Sequence, residues 1–177
     1  AAEITNFAWA VSGVEGLSDT ADSVLQASAE EAMRPDFGAQ HLATLLWLMS
    51  SATATFAWRP LAARLAQQLE KLPSSLLLRT TKAQLRLQDA EVQSDDVPDV
   101  LLDAICTELL HRSSDNSDFD PISASTISSI ACALAESRRV DVQRLLFKLE
   151  PMLVLHAGSF PPNHLVRMAV AATTLQE

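Results

Sequence analysis

A helix-patterned segment recurs along the chain at a nearly fixed interval, and that interval constrains the fold more than any other feature. Ile4 to Val11 aligns with Leu42 to Met49, with Trp9 and Trp47 standing 38 positions apart. Another step of 38 reaches Leu85, a step of 47 reaches Cys132, and a last step of 38 reaches Val170. The column Phe7, Leu45, Ala83, Ile130, Met168 is apolar, as is the column Val11, Met49, Leu87, Leu134, Ala172. The two columns are four positions apart, hence on one helical face. A third column, Asn6, Thr44, Lys82, Ser129 and Arg167, is polar in every copy. A helical pattern at this period predicts an all-α protein, an α-solenoid of helical hairpins with repeats of about 38 residues. The repeats are expected at about 1–38, 39–76, 77–123 and 124–161, with a lone first helix over 162–177. They are expected to form one array, and the unpaired last helix is read as the sign of a longer array or of an end that a partner covers.

Second helices are predicted between the first ones, over about 18–34, 58–72, 98–112 and 139–155. The second reads Trp58, Leu61, Leu65, Leu69, Leu72, and the fourth Val142, Leu145, Leu146, Leu149, Leu153. Both have the three-to-four spacing of an amphipathic helix. Prolines mark the repeat starts: Pro35, Pro73, Pro121, and Pro161 with Pro162. Pro151 falls inside a helix candidate and is expected to kink or end it. The nine extra residues of the long step are placed within 88–120. There, Ser94-Asp95-Asp96 and the run Ser113 to Asp118 read as acidic solvated loops. Only 4 glycines in 177 residues argue against a many-turned β-sandwich or barrel. Phe7, Leu45, Ile130 and Met168 are expected in the core. On the last helix, Leu165, Met168, Ala169 and Ala172 should cover the preceding hairpin, while Val170 and Ala171 point elsewhere.

The polar column is the candidate binding surface. In helical-repeat RNA binders a few side chains per repeat reach a base, and Asn6, Thr44, Lys82, Ser129 and Arg167 suit that role by residue type. The competing reading is that every amphipathic helix has a solvated column. Charge narrows the choice. The chain carries 13 basic and 22 acidic side chains, a net of −9, which argues against uniform nucleic-acid binding over the whole surface. Arg79, Lys82 and Arg86 nevertheless cluster on the third first-helix, as Arg138, Arg139, Arg144 and Lys148 do near the fourth second-helix. Trp9 and Trp47 offer faces for stacking bases or for packing between repeats, and Trp58 reads as packing.

Chemistry of other kinds finds little support. His41, His111, His156 and His164 are scattered, Cys106 and Cys132 sit in apolar helical patterns, and the sequence has no glycine-rich phosphate loop or nucleophile motif. No catalysis, cofactor, metal or small-molecule substrate is expected. No apolar run approaches the roughly 18 residues of a membrane span, so no membrane partner is expected either.

Ile4-Thr5-Asn6-Phe7-Ala8-Trp9-Ala10-Val11 and its counterpart over 42–49 resemble the first-helix signature of octotricopeptide repeats. That signature runs roughly L-A-N-T-L-W-A-L-A with a 38-residue period. The repeats of RAP-domain and FAST-kinase-like proteins look similar. The resemblance covers nearly the whole chain but is strong in the first two copies. In the third, Gln84 and Arg86 replace apolar residues and Leu85 replaces tryptophan. It implies an organellar ribonucleoprotein component, mitochondrial or alternatively chloroplast. Such a protein binds RNA, ribosomal RNA included, or serves as a structural part of the mitochondrial ribosome. The alternative is a scaffold subunit that contacts only the protein subunits of a large complex.

Overall fold

Leucine- and alanine-rich segments with apolar residues three and four apart have one low-energy way to bury that spacing, and the chain takes it repeatedly. A computed structural model describes residues 1–13, 18–52, 58–90, 99–114, 122–137 and 139–174. Among them every regular element is helical. The chain divides into two compact units, Ala1–Asp95 and Asp96–Glu177.

The first unit contains α1 (Ala2–Ser12), α2 (Ser18–Glu31), α3 (Ala39–Met49), α4 (Arg59–Ala66) and α5 (Ser74–Ala90). A short 3-10 turn over Leu69–Lys71 follows α4. Helix α1 packs on α2 and α3, and α3 in turn packs on α2, α4 and α5. Enclosed on several sides, α3 buries Leu42, Ala43, Leu45, Leu46, Leu48 and Met49. Pro60 stands at the start of α4, where its missing N–H costs nothing, and the preceding Trp58 is buried. Arg64 of α4 donates to the carbonyl oxygens of Ala32, at 2.5 Å, and of Arg34, so that a cation sits on the C-terminal end of α2.

The second unit contains α6 (Val100–Ser114), α7 (Ala124–Ala135), α8 (Val140–Gln143), α9 (Leu145–His156) and α10 (Pro162–Thr174). Asp99 caps α6 by accepting from the Leu102 N–H at 2.8 Å, and Ser123 caps α7 by accepting from the Thr126 N–H at 3.1 Å. Helix α9 packs on α6 and α7, and α10 packs on α7. Lys148 of α9 reaches across to Asp103 of α6 at 2.6 Å. Pro151 lies inside α9 on its exposed side, so α9 continues through it. The carbonyl that loses its N–H partner, that of Phe147, belongs to an exposed residue that water can serve.

The structure corrects several expectations. Phe7 is 60% exposed although its counterparts Leu45 and Ile130 are wholly buried, and Met168 is half-buried. For Leu45 the difference is neighbour number: α3 has first helices on both sides, whereas α1 meets one. On α10 the packed face is rotated from the expected one. Ala171 is buried, while Leu165 and Ala169 are exposed. Ser113 belongs to α6 rather than to a loop, and the predicted loop segments 94–96 and 115–118 lie outside the described residues. The polar Gln84, which departs from the apolar pattern, is nonetheless buried.

Candidate functional site

The polar column lies on the first helices of both units, and its members have different surroundings. Asn6 and Lys82 are exposed. Thr44 is half-buried and donates its hydroxyl to the Gln40 carbonyl of its own helix at 2.8 Å. Ser129 is half-buried. Arg167 is occupied by an ion pair with Glu136 at 2.6 Å. Asn6, Thr44 and Lys82 belong to three successively packed helices of the first unit, α1, α3 and α5. Ser129 and Arg167 belong to the packed pair α7 and α10 of the second.

The sharpest feature of the first unit sits beside Thr44 and Lys82. The guanidinium carbons of Arg79 and Arg86 lie 4.6 Å and 5.1 Å from the centroid of the Trp47 ring. Arg79, Lys82 and Arg86 are spaced three and four apart and so share one face of α5. Gln40, Thr44 and Trp47 share a face of α3 in the same way. The stacking follows from the packing of α3 on α5: a tryptophan on α3 meets a helix that presents an arginine at each of two turns of one face. A guanidinium on an indole face keeps its in-plane N–H groups free for an acceptor.

The cluster places three cations on one helix face. Elsewhere in the molecule Arg34 pairs with Glu31, Arg112 with Glu108, Arg139 with Asp141 and Lys148 with Asp103. Arg79, Lys82 and Arg86 have no carboxylate partner among the described residues, in a chain of net charge −9. Three cations on one face beside a half-buried indole can hold an anion and stack a planar ring. Trp9, the counterpart of Trp47, is left exposed, because the α3 positions that correspond to Arg79 and Arg86 are His41 and Leu48.

The second unit's column meets a hydrogen-bonded junction. Ser128 is fully buried and donates to the Ser125 carbonyl at 3.1 Å. Its oxygen is 3.0 Å from His164 Nδ1, a hydrogen bond that joins α7 to α10. The Cys132 thiol donates to the His164 carbonyl at 3.6 Å. With Ser128 buried, this serine and histidine form a contact between the packed helices α7 and α10. Burial pushes the Cys106 thiol up to about 12 and raises the Cys132 thiol as well, which keeps both protonated and unreactive at neutral pH.

A hollow of the first unit is lined, among the described residues, by Ser12, Ala21, Asp22, Leu25, Leu48, Ser51 and Ala52, of which Asp22 is the ionisable one. Among the described residues no three His, Cys, Asp or Glu side chains stand together as a metal site requires, and no helix is long and apolar enough to cross a membrane. No family model, curated protein or solved structure matches the chain.

Sequence reasoning pointed to Lys82 and noted Arg79 and Arg86 as its neighbours. It missed that both guanidiniums converge on Trp47, since that convergence depends on how α3 and α5 pack. The available signal was the common helical face of residues 79, 82 and 86.

Proposed function

We propose that the chain is a helical-repeat protein of an organellar ribonucleoprotein, an α-solenoid of about 38-residue hairpins that contacts single-stranded RNA through the α3–α5 surface of its first unit. The observation that carries this reading is the pair Arg79 and Arg86 on the Trp47 ring, with Lys82 on the same helix face, none of them neutralised by a carboxylate among the described residues. Phosphates satisfy the cations, and base stacking on exposed aromatic or guanidinium surface tolerates any sequence. The solenoid is supported by the succession of contacts in each unit, in which first helices pack on first helices and on the intervening second helices. The resemblance to octotricopeptide repeats supports an organellar setting, the mitochondrion first and the chloroplast second, with the mitochondrial ribosome as one such particle.

Anisotropy of a labelled oligouridylate at low salt tests the RNA contact. With up to three phosphates neutralised, the logarithm of affinity should fall with that of salt at a slope of about −2. Replacing Arg79, Lys82 and Arg86 together by glutamine should abolish binding, while Arg167→Gln should leave it unchanged. Absence of binding at low salt, or binding that the triple variant retains, would overturn the reading.

A specific observation favours the second reading, a scaffold subunit bound only to proteins. The second unit exposes Phe147, Val154, Leu155, Val166 and Val170, and its column cation Arg167 is taken by Glu136. Exposed apolar surface of this kind marks protein contacts.

A further inference from the structure

A guanidinium has five N–H groups to satisfy, and several arginines of this chain satisfy them on protein oxygens. Arg34, Arg112, Arg139 and Arg167 each meet a carboxylate, and Arg64 donates to two main-chain carbonyls. Arg79 and Arg86 differ. Among the described residues neither donates a hydrogen bond or meets a carboxylate, and the contact that each makes is with the Trp47 ring.

Seven positions, two turns of α5, separate these arginines, yet both reach one indole, at 4.6 Å and 5.1 Å from its centroid. Their charges are thus about 10 Å apart at most, close enough to repel through ordinary salt. The ring opposes that repulsion by attracting both cations. It also removes rotamer freedom that two unheld arginines would lose on meeting a ligand. Trp47 is half-buried, and the part of its face that the guanidiniums cover is closed to a base.

We propose that Trp47 is a positioning residue of this site: it holds Arg79 and Arg86 with their N–H groups open to phosphate, and it stacks no base itself. The α3–α5 surface then takes the phosphates of its ligand and leaves the bases unread at this ring. The assignment rests on the RNA reading of that surface and gives each side chain its part in it.

Two probes separate positioning from base stacking. An oligouridylate has phosphates and bases, and pyrophosphate has phosphates alone. Each is titrated at low salt against the 177-residue chain, Trp47→Leu, Arg79→Lys/Arg86→Lys, and the chain with all three changes. Lysines keep both charges and lose the planar fork. Trp47→Leu and the double lysine variant should each bind both probes about tenfold more weakly, since two long side chains must then be ordered on binding. Their salt dependence should match the parent's, because no charge is lost. The three changes together should cost no more than either set alone, because both act through the same two forks. Trp47→Phe keeps a ring and should recover most of the affinity, and circular dichroism with the melting transition verifies the fold of each variant. Loss of oligouridylate affinity in Trp47→Leu with pyrophosphate binding intact would show that Trp47 stacks a base and overturn the proposal. Additive losses in the combined variant, or a Trp47→Leu chain that binds both probes like the parent, would overturn it too. A parent that binds pyrophosphate with these variant effects, and not oligouridylate, upholds the positioning role and removes the RNA reading. A parent that binds neither probe overturns both.

Discussion

Cys132 directs its thiol at the carbonyl oxygen of His164, 3.6 Å away and 32 positions further along the chain. Trp47 meets Arg79 at that same separation in the other unit, although indole and guanidinium share no chemistry with thiol and carbonyl. Equal separations with unlike side chains mean that helix placement is set by the apolar columns beneath. The residues at the crossing are free to vary, and in the first unit they have become a cationic surface.

The apolar column gives the most direct test of that placement. Leu45→Ala should cost about 2–5 kcal/mol, since α3 is enclosed and cannot collapse onto the cavity. Phe7→Ala, at the corresponding position of α1, should cost under about 1 kcal/mol because its ring is largely solvated. Thr44→Ala should also cost under about 1 kcal/mol, the lost bond being one to its own helix. Urea denaturation of the three variants would give this order; equal losses would refute it.

The Ser128–His164 bond should contribute about 1 kcal/mol to the docking of α10. A double-mutant cycle with Ser128→Ala and His164→Ala isolates it. A coupling energy of about 0.5–1.5 kcal/mol is expected, with earlier hydrogen exchange in 162–174 for either single variant.

Two neighbouring threonines of α5 should respond oppositely to valine. The buried Thr80 hydroxyl has no hydrogen-bond partner among the described residues. Thr80→Val keeps the shape, removes that unsatisfied group, and should be neutral or stabilise by up to about 1 kcal/mol. The equally buried Thr81 donates to the Leu77 carbonyl at 2.9 Å, so Thr81→Val should destabilise by about 0.5–1.5 kcal/mol. Thermal melts of the two variants should move in opposite directions.

Alkali should unfold the protein partly through Cys106. Burial raises its pKa in the folded protein to about 12 from the ordinary thiol value of 9.0, with Lys148 opposing and Asp103 and Asp99 assisting. Above pH 9 the unfolded thiol loses its proton while the folded one keeps it, so the unfolded state binds fewer protons and stability falls as pH rises. That contribution is complete below about pH 9 and is lost progressively toward about pH 12. Urea midpoints at pH 8 and pH 10.5 should differ less in Cys106→Ala than in the parent.

The helices were legible because their causes are local. Apolar spacing around Leu61 and Leu65, or around Leu146 and Leu149, names a buried face, and prolines at 73 and 162 mark helix starts. Exposure of Phe7 was not legible, since an apolar column records what a helix can bury and not how many neighbours it has. The rotation of α10 escaped for a related reason: Leu165, Val166, Ala169 and Val170 make its outer side as apolar as its inner one, so periodicity alone picks no face. At the candidate site, Lys82 was legible as a polar position on a helical face. The convergence on Trp47 is a property of two helices together, and no single-helix pattern encodes it.

The three indoles experience three different environments: Trp9 is exposed, Trp58 is buried, and Trp47 lies half-covered by two guanidiniums. Fluorescence therefore gives the molecule a built-in optical readout. With Trp9 and Trp58 replaced by phenylalanine, the remaining emission comes from the ring on which Arg79 and Arg86 rest. An anion that draws those side chains away changes the electric field across that ring and shifts its colour, without any label attached.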